Sequence, residues 1–216
     1  MKNYKPERYW SKFAGTLNED QRYIAGEASQ RVRVDRLSQE TGLGEAIEFG
    51  CGAGFYTKVL AGNAGRVLAT DLSDEMLAVA ETELKDLPNV TIEKADCESL
   101  GYPDNRFDTV FMANVIQGVK DPLTALRESH RVLKNGGLLL IISGTLHGMK
   151  RWEKIKMSLR FFRKWGKPPG YFRGSLSPDD LSVLVEEVGF QVEEVQLIGD
   201  RIKALFLKAR KRQDNG

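Results

Sequence analysis

The sequence predicts an α/β protein built on a mostly parallel sheet with helices on both faces. Short apolar runs alternate with segments of helical spacing along the first two thirds of the chain. A glycine turn, Glu48-Phe49-Gly50-Cys51-Gly52-Ala53-Gly54, joins the apolar pair Ala46-Ile47 to a helix opening at Phe55. Strand, glycine turn and helix make a ligand-binding device of open α/β sheets. The run Leu138–Ile142 is uniformly apolar, as in a central strand covered on both faces.

Taken in order, residues 1–18 are aromatic and basic, with Tyr4, Tyr9, Trp10 and Phe13 among Lys2, Lys5, Arg8 and Lys12. Such a stretch is either a terminal arm resting on the domain or a flap over the ligand site. Asn18-Glu19-Asp20 reads as a helix start with a cap and acids in the first turn. That helix is predicted to reach about Gln39, with Ile24, Ala28, Arg31, Val34 and Leu37 near one face, and Thr41-Gly42-Leu43-Gly44 ends it. The helix after the glycine turn covers Phe55–Ala61. Arg66–Thr70 is the second strand and ends at Asp71. Ser73 caps a helix over Asp74–Lys85 whose core stripe is Met76, Ala80 and Leu84.

Pro88-Asn89 turns into a third strand, Val90–Ala95, which ends at Asp96-Cys97-Glu98. The fourth strand, Phe107–Ala113, ends at Asn114-Val115-Ile116-Gln117. Asp121-Pro122 supplies a cap and a first-turn proline for the next helix, which Asn135-Gly136-Gly137 stops. Ser177-Pro178-Asp179-Asp180 starts another helix, which stops at Gly189. Phe190–Ile198 and Ile202–Ala209 close the chain as a hairpin at the sheet edge. Residues 1–209 are therefore expected to form one domain, divided into an arm and helix (1–40), a ligand-binding core (45–145), a basic aromatic insertion (146–176) and a closing segment (177–209). Residues 210–216 are expected to be a disordered polar tail.

Composition narrows the class. At 216 residues, with 41% hydrophobic and 29% charged residues, the chain has the make-up of a soluble globular domain. A net charge of +2 gives no global case for DNA or RNA. Cys51 and Cys97 form neither a metal nor a disulfide spacing. No apolar run approaches the roughly 20 residues of a bilayer span. The first residues lack a signal-peptide core, so a cytoplasmic protein is expected.

The strand ends suggest the ligand. The glycine spacing is G-x-G-x-G rather than the G-x-G-x-x-G of dinucleotide folds. Glu48 would repel a pyrophosphate on that turn and attract an ammonium group. Asp71, at the tip of the second strand, is placed to accept from both hydroxyls of a ribose. Asp96 is placed to accept from an adenine amine, and Met76 serves the core or borders the adenine. Three carboxylates facing an ammonium, a ribose and an adenine amine fit S-adenosyl-L-methionine (AdoMet), which carries no phosphate.

Several stations in the right order resemble the class I AdoMet-dependent methyltransferases. They are Ile47–Gly54, Asp71-Leu72-Ser73-Asp74-Glu75-Met76-Leu77, Ala95-Asp96-Cys97-Glu98, Arg106-Phe107-Asp108, and Arg131-Val132-Leu133-Lys134-Asn135-Gly136-Gly137. Within the class, the chain is similar to the small-molecule subgroup that includes quinone-biosynthesis C-methyltransferases. The resemblance covers about residues 45–145. It implies a Rossmann-like, mostly parallel seven-stranded sheet with an antiparallel last strand. It also implies AdoMet as cofactor, S-adenosylhomocysteine as product and no metal. The resemblance places Glu48, Gly50, Gly52 and Gly54 at the methionine part, Asp71 at the ribose, and Leu72 and Met76 beside the adenine. Asp96 and Cys97 meet the adenine edge, and Asn114 and Val115 lie beneath the sulfonium. Cys51, Tyr56, Glu98 and Gln117 complete the expected set. Many relatives carry His where Gln117 stands, so no role is transferred to it.

Between 148 and 173 the chain changes character. Lys150, Arg151, Lys154, Lys156, Arg160, Arg163, Lys164, Lys167 and Arg173 face one acid, Glu153, and are interleaved with Trp152, Ile155, Leu159, Phe161, Phe162, Trp165, Tyr171 and Phe172. This segment reads as a lid over the acceptor, as a peripheral membrane contact, or as a solvated helix whose aromatics cap the core. His147 is the candidate general base, ahead of His130 within a helix and of Tyr9 and Tyr23. Asn114-Val115-Ile116-Gln117 is not Asn-Pro-Pro-Tyr, which argues against amide-type nitrogen methylation. Neither cysteine follows a proline, and no Asp/Asp-Asn metal set appears. The expected acceptor is a small molecule, methylated at O, N or C and possibly amphipathic or quinone-like. The alternatives are a cofactor-binding module without chemistry, an NAD-dependent oxidoreductase, and an RNA methyltransferase using residues 150–173. Monomer and homodimer both remain open.

Overall fold

A computed structural model describes residues 6–170 and 172–212; Lys2, Tyr4 and Lys5 of the arm, Tyr171 and the last four tail residues lie outside the described residues. Seven strands form one sheet: β1 (Glu45–Phe49), β2 (Arg66–Asp71), β3 (Val90–Lys94), β4 (Phe107–Ala113), β5 (Leu133–Thr145), β6 (Phe190–Ile198) and β7 (Lys203–Lys211). Their order is β3-β2-β1-β4-β5-β7-β6. β1 to β5 are parallel, and β7 runs antiparallel to both β5 and β6. The last strand is thus the antiparallel one, as expected, and it lies between β5 and β6, so that the closing hairpin forms this edge of the sheet. Strand order reverses between β1 and β4, which opens a crevice at the carboxyl ends of the strands.

The period-2 geometry of the central strands gives two cores. Phe49, Val110, Met112, Leu139 and Ile141 join one hydrophobic cluster, and Phe111, Leu140, Ile142 and Phe206 join another. Both faces are therefore covered, and the uniformly apolar 138–142 run is explained.

The helices are α1 (Pro6–Trp10), α2 (Leu17–Ala25), α3 (Glu27–Ser38), α4 (Thr57–Ala61), α5 (Asp74–Leu84), α6 (Pro122–Val132), α7 (Arg151–Trp165) and α8 (Pro178–Glu187). Local signals set several starts. The Ser73 hydroxyl accepts from the Met76 N–H at 3.2 Å. Asp121 accepts from the N–H groups of Leu123 and Thr124 ahead of Pro122. Ser177 and Asp180 form a reciprocal capping box. Among the described residues no helix is long and apolar enough to cross a membrane.

Four expectations are corrected. The helix predicted from Asn18 to Gln39 is two helices, because Gly26 adopts φ 81° and breaks the ladder between α2 and α3. The break resets the helical face: Ala28 and Arg31 are exposed, while Ser29, Gln30, Arg33 and Leu37 are buried. The helix after the glycine turn starts at Thr57, two residues later than predicted. β5 begins at Leu133, paired with Phe107, and continues through the Asn-Gly-Gly stretch with a register shift. Finally, Arg210 and Lys211 belong to β7 and not to a tail. Arg210 donates to Glu193 and to the Gly136 carbonyl, and the Lys211 ammonium donates to Asn105 and the Leu133 carbonyl.

α7 is tied across the crevice to α2 and the arm through one buried carboxylate. Asp20 pairs with the Lys164 ammonium at 2.7 Å and accepts from the Thr16 hydroxyl at 2.9 Å and the Trp165 indole N–H at 3.2 Å. The Tyr9 hydroxyl donates to the Trp165 carbonyl at 2.9 Å, and Trp10 meets Trp165 edge-on at 5.3 Å. Burial alone would raise the Asp20 pKa, but the bonds from Lys164, Thr16 and Trp165 outweigh it and hold the carboxyl below its usual range. Asp20→Ala should lower stability by about 1–3 kcal/mol at neutral pH in urea unfolding. A depressed carboxylate pKa stabilises above the unfolded value and is lost as pH falls. The gap between wild type and variant should therefore narrow below about pH 4; a gap independent of pH would remove Asp20 as the tie.

Candidate functional site

A cavity of about 1050 Å³ lies across the carboxyl ends of β1 to β5, with its other wall from α2, α3 and α7. This is at the upper end of small-molecule sites, roughly 300–1,000 Å³, and leaves room for two ligands side by side. Of the residues expected at the site, Gly50, Gly52, Asp71, Leu72, Met76, Asp96, Cys97, Glu98, Asn114, Val115 and Gln117 line it. Glu48, Cys51, Gly54, Tyr56 and His147 do not.

The glycine loop is fastened to the tip of β2. The Gly52 N–H donates to Asp71 Oδ2 at 2.9 Å, and the Ser73 N–H donates to Oδ1 at 2.9 Å. These bonds fix both oxygens of the carboxylate, which has further acceptor capacity for a ligand. Burial raises the Asp71 pKa, and the N–H groups of Ser73, Gly52 and Leu72 offset part of that rise. Gly50 and Gly52 have φ of 65° and 54°. A Cβ on Gly50 would come within 2.6 Å of Val115 Cγ2, so this turn requires glycine on space as well as on backbone angle.

The other strand ends complete the wall. Asp96 Oδ1 accepts from the Glu98 N–H at 2.9 Å. Burial, with Asp96, Glu98 and Asp71 nearby, pushes the Cys97 thiol up to about 12, so it presents a neutral S–H. Asn114 holds a left-handed φ of 59°. Its N–H donates to Ile142 and its Oδ1 accepts from the Gly144 N–H at 2.9 Å. A non-glycine residue in that region is strained, and it persists here because both ends of Asn114 are bonded to β5. Gln117 is buried, accepts from the Ser143 hydroxyl and so braces the same junction.

Sequence reasoning missed the contribution of α3. Arg33 is 5% exposed, lines the cavity and has no hydrogen-bond partner at Nε. A Cβ built on Gly144 would sit 3.7 Å from Arg33 Nη2, 3.4 Å from Asn114 Oδ1 and 3.9 Å from Gln117 Nε2, so three polar side chains converge on the end of β5. Gln30, one turn earlier, also lines the cavity and accepts from the Tyr56 hydroxyl at 3.4 Å. The signal that could have found Arg33 is its position one turn before the buried Leu37, once Gly26 is read as a break.

Two of the expected residues that do not line the cavity are Glu48 and His147. Glu48 is 1% exposed and its carboxyl accepts from the Thr57 hydroxyl at 2.6 Å, away from the cavity wall. Burial, with the Asp71 charge adding to it, raises its pKa to about 8, against the bond from Thr57. Burial therefore favours the neutral form of Glu48, and among the acids that line the cavity Asp71 is the one bonded to the glycine turn. His147 is exposed. After β5 the Leu146 N–H bonds to the Gly174 carbonyl and Leu146 lines the cavity, which turns the next side chain outward. Tyr9 bonds to Trp165, and Tyr23 lies exposed beneath Arg160 and Lys164. Neither histidine lines the cavity. From α7, Met157, Phe161, Phe162 and Trp165 give an apolar section of wall, and Trp10, Leu17 and Ile24 continue it.

Residues 47–141 match the family described as Methyltransferase domain. The chain is 42% identical over 112 residues to the ubiquinone/menaquinone biosynthesis C-methyltransferase UbiE of Shewanella frigidimarina, a match covering 50% of this chain and 45% of that protein. The chain thus spans less than half the length of this relative. It is 26% identical over 199 residues to the demethylmenaquinone methyltransferase of Staphylococcus carnosus, covering 85% and 83% of the two chains. The crystal structure of a SAM-dependent methyltransferase from Aquifex aeolicus superposes with a TM-score of 0.67 at 22% identity, covering 96% of this chain and 99% of that one.

Glu48 generates a pH prediction. Its folded pKa of about 8 lies above the ordinary 4.5. Its contribution to stability is full below the unfolded value and is lost as pH rises through the folded value. Glu48→Gln keeps an acceptor for Thr57 and removes the titration. Measured from pH ~5 to pH ~9, the Tm of the wild type should fall relative to the variant; parallel profiles would show that Glu48 does not titrate in this window.

Proposed function

We propose that this chain, which has the Rossmann-like class I fold and carries a methyltransferase domain over residues 47–141, is an AdoMet-dependent methyltransferase acting on a small, largely apolar acceptor. One observation carries the reading. A hydrogen-bonded carboxylate at the tip of β2 and a buried guanidinium near the end of β5 line one cavity, together with Gly50 and Gly52 of the turn. AdoMet has groups for each of these: a ribose diol, a carboxylate and a flat body that lies on main chain.

In this reading Asp71 takes the ribose hydroxyls through its remaining lone pairs. Leu72 and Met76 flank the adenine, and Asp96 with the Cys97 S–H meets its edge. Arg33 takes the carboxylate, and the Gly50–Gly52 backbone with Asn114 borders the amino acid chain. When bound, the cofactor supplies a methyl group on a sulfonium that leaves as a neutral thioether. The leaving group therefore needs no acid, and the protein's task is to align the acceptor and exclude water.

The acceptor side is the apolar wall of Met157, Phe161, Phe162 and Trp165. No histidine lines the cavity, which suits an acceptor that is already nucleophilic, such as a phenolate or an electron-rich ring carbon, over one needing a strong base. The similarity to UbiE and to the demethylmenaquinone methyltransferase supports a quinone-like acceptor. The free thiols Cys51 and Cys97 support a reducing, cytoplasmic setting.

Isothermal calorimetry with S-adenosylhomocysteine, 5′-methylthioadenosine and NADH tests the assignment. Asp71→Ala should weaken both adenosyl ligands by roughly ten- to hundredfold, the equivalent of losing about 1.5–3 kcal/mol of charge-assisted bonding. Arg33→Met should weaken S-adenosylhomocysteine comparably and leave methylthioadenosine, which has no carboxylate, unchanged. NADH binding without S-adenosylhomocysteine binding would overturn the reading. Tight cofactor binding without transfer of labelled methyl to any phenol or quinol in a screen would leave a binding module without chemistry.

A further inference from the structure

α7 has two apolar faces, and the cavity uses only one of them. Met157, Phe161 and Trp165 line the cavity. Trp152, Ile155, Leu159 and Phe162 form the other face and are 63%, 42%, 64% and 54% exposed. Their spacing of three and four residues sets them in one narrow stripe along the helix. Exposed Arg151 borders the stripe on one side, and exposed Lys156 and Arg163 border it on the other. The Lys156 ammonium lies over the Trp152 ring at 5.4 Å. Lys150, Lys164 and Lys167 are also exposed, and Glu153 is the one acid within α7. Phe162 belongs to both faces, so the stripe reaches the cavity wall.

We infer that the outer face of α7 docks on an anionic phospholipid bilayer and sets the open side of the cavity at the lipid interface. An exposed stripe of Trp, Leu, Ile and Phe bracketed by Lys and Arg is the pattern of a helix lying in an interface plane, with the apolar side chains in the headgroup region and the cations on lipid phosphates. Charge selects this occupant over a second copy of the chain, since pairing two such helices would bring like charges together. The aliphatic residues select it over RNA, because phosphate neutralisation makes no use of an exposed Ile and Leu. The molecule's net charge is only +2, so the attraction is local to this face. An acceptor dissolved in the bilayer would then enter beside Phe162 without crossing water.

Co-sedimentation with vesicles tests the inference without using activity. The whole chain should partition onto vesicles of mixed phosphatidylcholine and phosphatidylglycerol, and far less onto phosphatidylcholine alone. Raising salt from about 0.05 to about 0.5 M should weaken the partition. The combined Trp152→Ser, Ile155→Ser and Leu159→Ser variant should lose at least about tenfold in partition, and the combined Lys150→Ser, Arg151→Ser and Lys156→Ser variant should lose its preference for anionic lipid. None of these residues lines the cavity, so S-adenosylhomocysteine affinity and the circular dichroism spectrum should be unchanged. The inference is overturned if the wild type does not bind anionic vesicles, or if the apolar variant binds as well as the wild type. It is also overturned if the stripe instead drives dimerisation in sedimentation velocity, or if the basic face binds RNA and not vesicles. Partition with no S-adenosylhomocysteine binding in any variant would refute the cofactor assignment and leave the docking surface standing.

Discussion

The bond from the Gly52 N–H to Asp71 is the constraint on which the site depends. It joins the turn after β1 to the tip of β2, and the Ser73 N–H fixes the same carboxylate from the start of α5. A rigid acid at a strand tip can present two oxygens to a diol without reorganising. The left-handed angles at Gly50 and Gly52 let the loop approach Asp71 and leave the adjoining surface as bare backbone. The cost is a buried carboxyl with a raised pKa, offset by N–H bonds to its charged form. Ligand hydroxyls would extend the same compensation.

The framework was legible in the sequence because local chemistry determines it. Phe107–Ala113 is a strand in the residues predicted, and Ser73, Asp121 and Ser177 cap the helices they were expected to cap. Asp71, Asp96 and Asn114 reach the cavity because they lie at or just past the carboxyl ends of β2, β3 and β4. What escaped depended on tertiary context. Gly26 reads equally well as a tolerated helix glycine or as a break, and only packing decides between them. Arg33 and Gln30 look like solvent-facing residues until the break rotates them inward. Glu48 reads as a site acid, and the partner of its carboxyl, the Thr57 hydroxyl, is not legible from the glycine motif. Arg210 and Lys211 look like a polar tail in a charged stretch, but β6 supplies ladder partners for both and β5 pairs with Arg210.

α7 shows how one segment can serve two surfaces. Its basic and aromatic content was compatible with a lid, an interfacial helix or a solvated cap, and the structure shows some of its residues lining the cavity and others exposed. The inner residues contribute to the cavity wall, and Asp20 with the Trp10–Trp165 contact secures that placement. The outer residues contribute nothing to the core: no residue of α7 is buried. A helix that buries so little is placed by its ends and by a few directed bonds, and it is the element whose environment most affects the opening of the cavity. The arm residues Tyr9 and Trp10 act on the same helix, so the two aromatic-basic segments of the sequence are physically one assembly.

The central claim is that Asp71 and Arg33 hold the two ends of an adenosyl amino acid across the glycine turn. A crystal structure of the chain with S-adenosylhomocysteine tests it most directly. The account predicts the ribose diol within hydrogen-bonding distance of both Asp71 oxygens, with the ligand carboxylate on the Arg33 guanidinium at the end of β5. A ligand whose ribose lies away from Asp71, or whose carboxylate is held elsewhere while Arg33 keeps its unpartnered Nε, would contradict it.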